Sequence, residues 1–223
     1  MSTELLLEIK RDQLRKRFIK YTKQAFQTLP LIENPYILDI GCGSGIPAIE
    51  LAKMSKGRIM AIDTDQHLLD ILAKRIKEKG HSIQIAVKKC SLFDIQFPEG
   101  TFDIIWAEGS ISIIGFKKGL QEWNRLLKPK GFLVVHDSIR TFSNVFDVSS
   151  KFGYRLVNHF ELPKDAWLKE YCEPLEKIIK EHREKAKDNP MLRQFLDKYQ
   201  NEVYIIRKDP KGNMSAFFIF QKV

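Results

Sequence analysis

The chain has 223 residues, 43% hydrophobic and 29% charged, with a formal net charge of +9. That length suits one domain with a full core, and the balance is that of an ordinary globular chain, not a disordered or fibrous one. No apolar run approaches the roughly 20 residues of a membrane span. The opening "MSTELLLEIKRDQLRKRF" lacks the layout of a secretory signal, so a cytoplasmic protein is expected.

Cys42, Cys90 and Cys172 are odd in number, far apart and free of any C-x-x-C pair, which argues against a disulfide framework or a zinc site. His67, His81, His136, His159 and His182 include no H-x-x-x-H spacing, so no metal is expected. Much of the positive charge lies in "IKRDQLRKRFIKYTK" and "KIIKEHREKAKDNPMLRQFLDK". Both mix acids with bases at helical spacing, as solvated helix faces do. Without an aromatic and basic RNA-binding constellation, a nucleic-acid partner is not expected.

In chain order, residues 4–29 read as one helix, because Leu6, Ile9, Leu14, Phe18, Tyr21, Ala25 and Phe26 recur every three or four positions. "LPLIENP" breaks the pattern with two prolines. A strand "YILDI", a glycine-rich turn and a helix from Pro47 to Lys53 follow, with the proline suited to a first helical turn. "RIMAID" is a second strand, and "TDQHLLDILAKRIKEKG" a helix stopped by Gly80. "SIQIAVKK" and "FDIIWAE" are the third and fourth strands. "KKGLQEWNRLLKPKG" is a helix ending at Pro129, and "GFLVVHD" is the fifth strand. A helix over "TFSNVFDVSSKFG", a strand near "YRLVNHF", a helical stretch over residues 164–208 and a closing strand "MSAFFIFQKV" complete the chain.

Alternating strands and helices mean βαβ units and a parallel sheet. The expected fold is α/β: a Rossmann-like three-layer sandwich around a mostly parallel seven-stranded sheet with an antiparallel last strand, plus a helical lid and insertion. The chain reads as one domain. Residues 1–35 are the lid, 36–138 the core, and 139–223 the end of the sheet with its insertion.

In open α/β sheets a ligand sits beyond the carboxyl ends of the strands, at the point where strand order reverses. Gly41, Gly43 and Gly45 fall there, directly after the first strand. The dinucleotide fingerprint G-x-G-x-x-G needs glycine at position 46, and this chain has Ile46. Asp63 ends the second strand about twenty residues on, where a carboxylate can accept both hydroxyls of a ribose. An adenosine-containing ligand is therefore expected, and Ile46 disfavours a nicotinamide-dependent oxidoreductase.

With these residues in view, the sequence resembles the class I S-adenosylmethionine-dependent methyltransferases of small-molecule type, with the methyltransferase domain 11/25 pattern. The resemblance covers residues 36–138 through four motifs in order: "ILDIGCGSG", "AIDTD", "CSLFDIQFPEGTFDIIWAEGSI" and "EWNRLLKPKGFLVVHDS". It implies S-adenosylmethionine as cofactor, with S-adenosylhomocysteine as product. Gly41, Cys42 and Gly43 would line its methionine and ribose portions, with Asp39 organising the turn and Gly45 allowing close packing. Asp63 would hold the ribose and Thr64 flank the adenine. Ser91 and Leu92 fall where the family contacts adenine; an Asp often stands where this chain has Ser91, which shifts that role toward the backbone of Leu92. Ala107 and Glu108 fall beside the methionine portion and the reactive methyl. Tyr21 and Thr22 lie where related enzymes close a helical lid.

Methyl transfer by in-line displacement depends mainly on alignment. His136, at the end of the fifth strand, is the candidate general base, because its side-chain type titrates near working pH. Asp137 is not its dyad partner, since adjacent strand residues point to opposite faces. The N-P-P-Y and D-P-P-Y sequences of planar-nitrogen methylation are absent after the fourth strand, which reads "WAEGSI". The expected activity is methyl transfer to a small-molecule acceptor. RNA methylation, nicotinamide-dependent oxidoreduction and non-catalytic cofactor binding are the alternatives. Residues 1–35 and 164–208 are expected to form a lid that orders around the cofactor.

Overall fold

A computed structural model of the chain describes residues 3–142, 145–209 and 214–223. The chain divides into two compact units: Ile19–Glu161 with Ser215–Val223, and Met1–Phe18 with Leu162–Met214. The stretch 1–35 is thus shared between them, at Phe18. Ser143 and Asn144, inside the helix expected over 141–153, lie outside the described residues.

The larger unit begins with the second part of the first expected helix and is built on one sheet. The helices in chain order are α1 (Thr3–Arg15), α2 (Ile19–Gln27), α3 (Ile46–Met54), α4 (Gln66–Glu78), α5 (Ile111–Ile114), α6 (Phe116–Asn124), α7 (Val145–Lys151), α8 (Glu173–Arg183) and α9 (Pro190–Lys208). The strands are β1 (Tyr36–Ile40), β2 (Arg58–Asp63), β3 (Ile85–Lys89), β4 (Phe102–Glu108), β5 (Leu127–Ser138), β6 (Tyr154–Glu161) and β7 (Ser215–Lys222).

The seven strands run in the order β3-β2-β1-β4-β5-β7-β6. β3, β2, β1, β4 and β5 pair in parallel, and β7 is antiparallel to both β5 and β6. The last strand therefore enters between two earlier ones. Strand order reverses between β1 and β4, which sets the ligand-binding end of the sheet beyond their carboxyl termini.

Alternation along the strands supplies two apolar faces, as a sheet covered on both sides requires. Leu38, Ile40, Ile105, Ala107, Leu133 and Val135 belong to a core shared with Leu120 and Trp123 of α6 and Val148 of α7. The opposite face carries Trp106, whose ring lies 6.3 Å from Phe26 of α2 and 6.4 Å from Phe217 of β7. Helices on both faces make three layers.

Two element boundaries differ from the sequence reading. The first expected helix is interrupted by a tighter 3-10 turn at Lys16–Phe18, so α1 and α2 are separate helices. The helix expected to reach Pro129 stops at Asn124. Leu127 pairs with Phe102 at the start of β5, so the buried pair Leu126 and Leu127 serves the sheet and not a last helical turn. Pro129 disfavours helical geometry at Lys128, in agreement with this. The short α5, unforeseen, occupies the turn after β4.

The smaller unit is helical: α1, a π-helical segment Trp167–Cys172, α8, and α9. Its apolar interior includes Leu7, Leu14, Leu175, Ile179, Leu196 and Val203. Phe18 stacks on Trp167 with ring centroids 4.6 Å apart. Arg11 is buried among polar partners. Its Nε donates to the Tyr171 hydroxyl at 2.9 Å and its Nη2 to Glu202 at 3.0 Å, while Tyr171 donates to the same carboxylate at 2.9 Å. Among the described residues, no helix is long and apolar enough to cross a membrane.

Candidate functional site

The glycine turn joins β1 to α3. Gly41 and Gly45 have φ of +74° and +79°, where side chains are strained. Space is also short there: a Cβ on Gly41 would lie 2.7 Å from Cβ of Ser110, and one on Gly45 would lie 2.0 Å from a methyl of the buried Leu72. These two glycines let the turn close onto the segment after β4 and onto α4. Gly43 differs, because a Cβ there would meet nothing within 4 Å. That edge of the turn faces open space.

Backbone bonds hold the turn in place. The N–H groups of Gly41 and Cys42 both donate to the carbonyl of Ile62, at 2.9 and 3.0 Å. Ser110 donates its hydroxyl to the carbonyl of Ile40 at 2.7 Å, and Arg75 donates to that of Ser44 at 3.0 Å. Asp63, the last residue of β2, accepts the N–H of Gly43 at 2.8 Å through Oδ2 and the N–H of Asp65 at 2.9 Å through Oδ1. Its carboxylate is thereby oriented beside the open edge, and each oxygen retains acceptor capacity.

The neighbouring candidate residues fall around this turn in different ways. Thr64 is exposed directly after Asp63. The N–H of Cys90 donates to the carbonyl of Asp63 at 2.9 Å, which carries the chain from β3 to Ser91 and Leu92 at the same end of the sheet. Ser91 accepts the N–H of Phe93 on its hydroxyl, and Leu92 packs against the core. Cys42 is buried, and burial, followed by the nearby Asp39 and Asp63, pushes its thiol far above the usual range. It is a packing residue in its neutral form. Tyr21 is buried on α2. Ala107 lies in the core, so only its backbone could serve a ligand.

Glu108 ends β4, and its strand neighbours explain its setting. Trp106, two residues earlier on the same strand face, donates its indole N–H to Oε1 at 2.7 Å. Thr22 of α2 donates its hydroxyl to that same oxygen at 2.8 Å. Burial raises the pKa of Glu108, and these two hydrogen bonds oppose the shift without cancelling it. Asp39 pairs with Trp106 across β1 and β4, which places it on the Glu108 face. It is 1% exposed, and its Oδ2 has no hydrogen-bond partner. Burial first, then Glu108 and Asp63, hold the Asp39 carboxyl well above the usual range.

His136 lies inside β5, not at its end, because the strand continues through Ser138. It pairs with Glu108 on one side and Phe217 on the other. Its Nε2 shares a hydrogen bond of 2.9 Å with the Ser215 hydroxyl, and its ring stacks on Phe217 at 4.5 Å. Burial pushes its pKa down to about 4, against the opposing pull of Asp137. Asp137 itself accepts the N–H groups of Ser112 and Ser138. Trp106 and Ser110 were the site residues that sequence reasoning missed, and Thr22, expected in the lid, was not expected to bond to Glu108. Only Trp106 left a local signal, its two-residue spacing from Glu108.

Residues 37–131 match the family described as methyltransferase domain. Among curated relatives, the methyltransferase GfsG of Streptomyces halstedii is 25% identical over 129 residues, 57% of this chain and 46% of its own length. The sterol 4-C-methyltransferase strm-1 of Caenorhabditis elegans is 29% identical over 60% of this chain and 40% of its own. The human EEF1A lysine methyltransferase 2 is 29% identical over 69% of this chain and 66% of its own. The chain thus spans less than half the length of the first two. Among solved structures, the [4+2]-cyclase SpnF superposes with a TM-score of 0.75 at 18% identity, covering 91% of this chain and 80% of that one. A methyltransferase of Geobacter sulfurreducens in complex with S-adenosylhomocysteine gives 0.74 at 15% identity, covering 92% and 91%. At such identities the structural likeness speaks for the fold. The family uses S-adenosylmethionine, and the residues at the turn fit it: an open glycine edge, an oriented carboxylate and a buried carboxylate oxygen without a partner. Residues 37–131, under half of the chain, are thus similar to the methyltransferase domain family, and the fold is that of its solved S-adenosylmethionine-dependent members.

Proposed function

We propose that this protein transfers the methyl group of S-adenosylmethionine to a small-molecule acceptor by in-line displacement. The observation that carries the reading is the pairing of the open edge at Gly43 with Asp63, whose Oδ2 is fixed by the Gly43 N–H at 2.8 Å. A ligand resting on that edge meets bare backbone and an aligned acceptor together. Bound there, the cofactor supplies a methyl group made electrophilic by its sulfonium.

The chain's own residues then have distinct tasks. Asp63 accepts the ribose hydroxyls, and Thr64, Ser91 and Leu92 border the adenine. Gly41, Cys42 and Gly43 present backbone to the remainder, while Gly45 seats the turn on α4. Glu108 and the backbone of Ala107 stand at the reacting end, with Tyr21 and Thr22 on α2 beside them. His136, neutral above about pH 4, contributes shape and a hydrogen bond to Ser215. A base with so low a pKa is poorly matched to proton abstraction near neutrality. The small-molecule acceptor draws support from relatives named as sterol and other methyltransferases.

Calorimetric titration of the full chain with S-adenosylmethionine, S-adenosylhomocysteine and NAD tests the reading. The first two are expected to bind and NAD is not. Tighter binding of NAD would overturn it. Tight, sequence-selective RNA binding at physiological salt would replace the small-molecule acceptor with RNA, whereas binding through charge alone falls steeply as salt rises.

A further inference from the structure

Glu108 is held from two directions on one oxygen. Trp106, two residues earlier on β4, donates its indole N–H to Oε1 at 2.7 Å, and Thr22 of α2 donates its hydroxyl to the same atom at 2.8 Å. Both donors are buried, Trp106 fully and Thr22 at 1% exposure. Among the described residues nothing donates to Oε2. Glu108 is itself half-buried, so its exposure lies toward that second oxygen, at the carboxyl end of β4.

The Thr22 hydroxyl is not needed to dock α2. Phe26, one turn further along the helix, sets its ring 6.3 Å from that of Trp106, centroid to centroid. Lys23 pairs with Glu50 of α3 at 3.1 Å, an acid that Lys53 also holds at 3.0 Å. A valine at position 22 would fill the same space and keep both contacts. What the hydroxyl adds is a second donor to one particular oxygen. With one donor, the carboxyl of a glutamate turns easily about its last torsion, which has broad minima. Two donors from separate elements on Oε1 stop that rotation and leave Oε2 as the oxygen presented.

We propose that Thr22 is a positioning residue for methyl transfer: acting through Glu108, it fixes which carboxyl oxygen faces the reacting end of the site and where that oxygen stands. This rests on the cofactor reading above and makes no choice among acceptors. Hydrogen bonds to a carboxylate also favour its charged form, so losing the Thr22 donor raises the Glu108 pKa beyond the rise that burial causes. The other groups around Glu108 are few. Asp39 of β1 feels its charge, and His136 of β5 is its register partner, kept neutral by burial. On α2, Lys23 is turned to Glu50, and Lys20 lies over the ring of Tyr21. Trp106 donates to the oxygen that Thr22 fixes, so its indole N–H reports on the arrangement from inside.

The test uses the full chain and two ligands that differ at the reacting end: S-adenosylhomocysteine, and sinefungin, which carries an amine-bearing carbon in place of the methyl sulfonium. Calorimetry at about pH 8, above the usual carboxylate range, gives the ratio of their affinities. Sinefungin is expected to bind the parent more tightly, since its ammonium can donate to Oε2. Thr22→Val should lower that preference by about 5–10-fold, and Thr22→Ser should restore it to within about 2-fold. In protein with isotope-labelled tryptophan, the Trp106 indole N–H signal, assigned through Trp106→Phe, should titrate with Glu108. Its midpoint should move to higher pH in Thr22→Val and return in Thr22→Ser, while the signals of Trp123 and Trp167 stay fixed. Should Thr22→Val fail to fold, Glu108→Gln keeps an oxygen for both donors and turns only the second position into a donor; the preference for sinefungin must then vanish. No such preference in the parent, equal weakening of both ligands in Thr22→Val, an unmoved midpoint, or a preference that survives Glu108→Gln overturns the proposal. Failure of the parent to bind S-adenosylhomocysteine is a separate result: it removes the cofactor reading, while the Trp106 signal still tests what Thr22 does to Glu108.

Discussion

The two units bury charge in opposite ways. In the helical unit, Arg11 is held by Tyr171 and Glu202, and its ring neighbour Tyr199 lies 5.2 Å from the guanidinium carbon. Burial works against that cation, but the pull of Tyr171 and Glu202 outweighs it and raises its pKa. In the sheet unit, Asp39, Asp63 and Glu108 share one end of three strands, and burial followed by the other two acids holds the Asp39 carboxyl above its usual range. A charge buried for architecture finds its counter-charge within the chain. On the cofactor reading proposed above, the acids of the sheet unit leave that place to a ligand.

The largest expected effect separates these two kinds of burial. Arg11→Ala leaves Glu202 without its counter-charge, held only by the Tyr171 hydroxyl, and breaking a buried pair costs about 3–5 kcal/mol. Partial exposure of Glu202, at 28% of its side chain, places the result toward the lower end. Urea denaturation should show that loss with no direct change in the sheet unit's ligand chemistry. A loss below the range typical of exposed pairs would mean that the network is not structural.

His136 supplies the next effect, through pH. Its folded pKa lies near 4 against 6.5 unfolded, so its stabilising contribution is complete above pH 6.5 and is lost as pH falls toward 4. The shift corresponds to roughly 3 kcal/mol. His136→Asn should flatten the stability profile between those limits, measured by urea midpoints across pH. An unchanged slope would show that the ring is not kept neutral by burial.

Asp63→Ala should weaken both S-adenosylmethionine and S-adenosylhomocysteine by about 1–3 kcal/mol, since a ribose would lose its acceptor. Calorimetry giving parental affinity would remove Asp63 from the site. Asp39→Asn sharpens the comparison at the smallest scale. The raised folded pKa means that the contribution of Asp39 to stability is present at acid pH and is lost as pH rises. The variant should therefore equal or slightly exceed the parent near pH 7, by under about 1 kcal/mol, and converge with it in acid. Denaturation at both pH values checks this, and marked destabilisation near neutrality would assign Asp39 a structural partner instead of a ligand's place.

Local patterns in the chain were enough to determine the sheet's parallel core, the glycine turn and Asp63. Each depends on residues close in sequence or on strand periodicity, and βαβ connections leave few ways to assemble them. Alternation alone placed Glu108 at the carboxyl end of β4. What it could not supply were bonds that cross long stretches of chain. Thr22 meets Glu108 across 86 positions, and Ser110 meets the carbonyl of Ile40 across 70. The end of α6 at Asn124 was likewise decided by Leu127 pairing with Phe102, because a buried interior strand outweighs a helical pattern of leucines. His136 shows the same limit from the chemical side. Its residue type suggested a base near neutrality, but Phe217 and Ser215 of β7 enclose it, and burial in that strand disfavours its charged form. Sequence sets the periodicities that local physics can satisfy, whereas a side chain's charge state depends on what the tertiary fold packs around it.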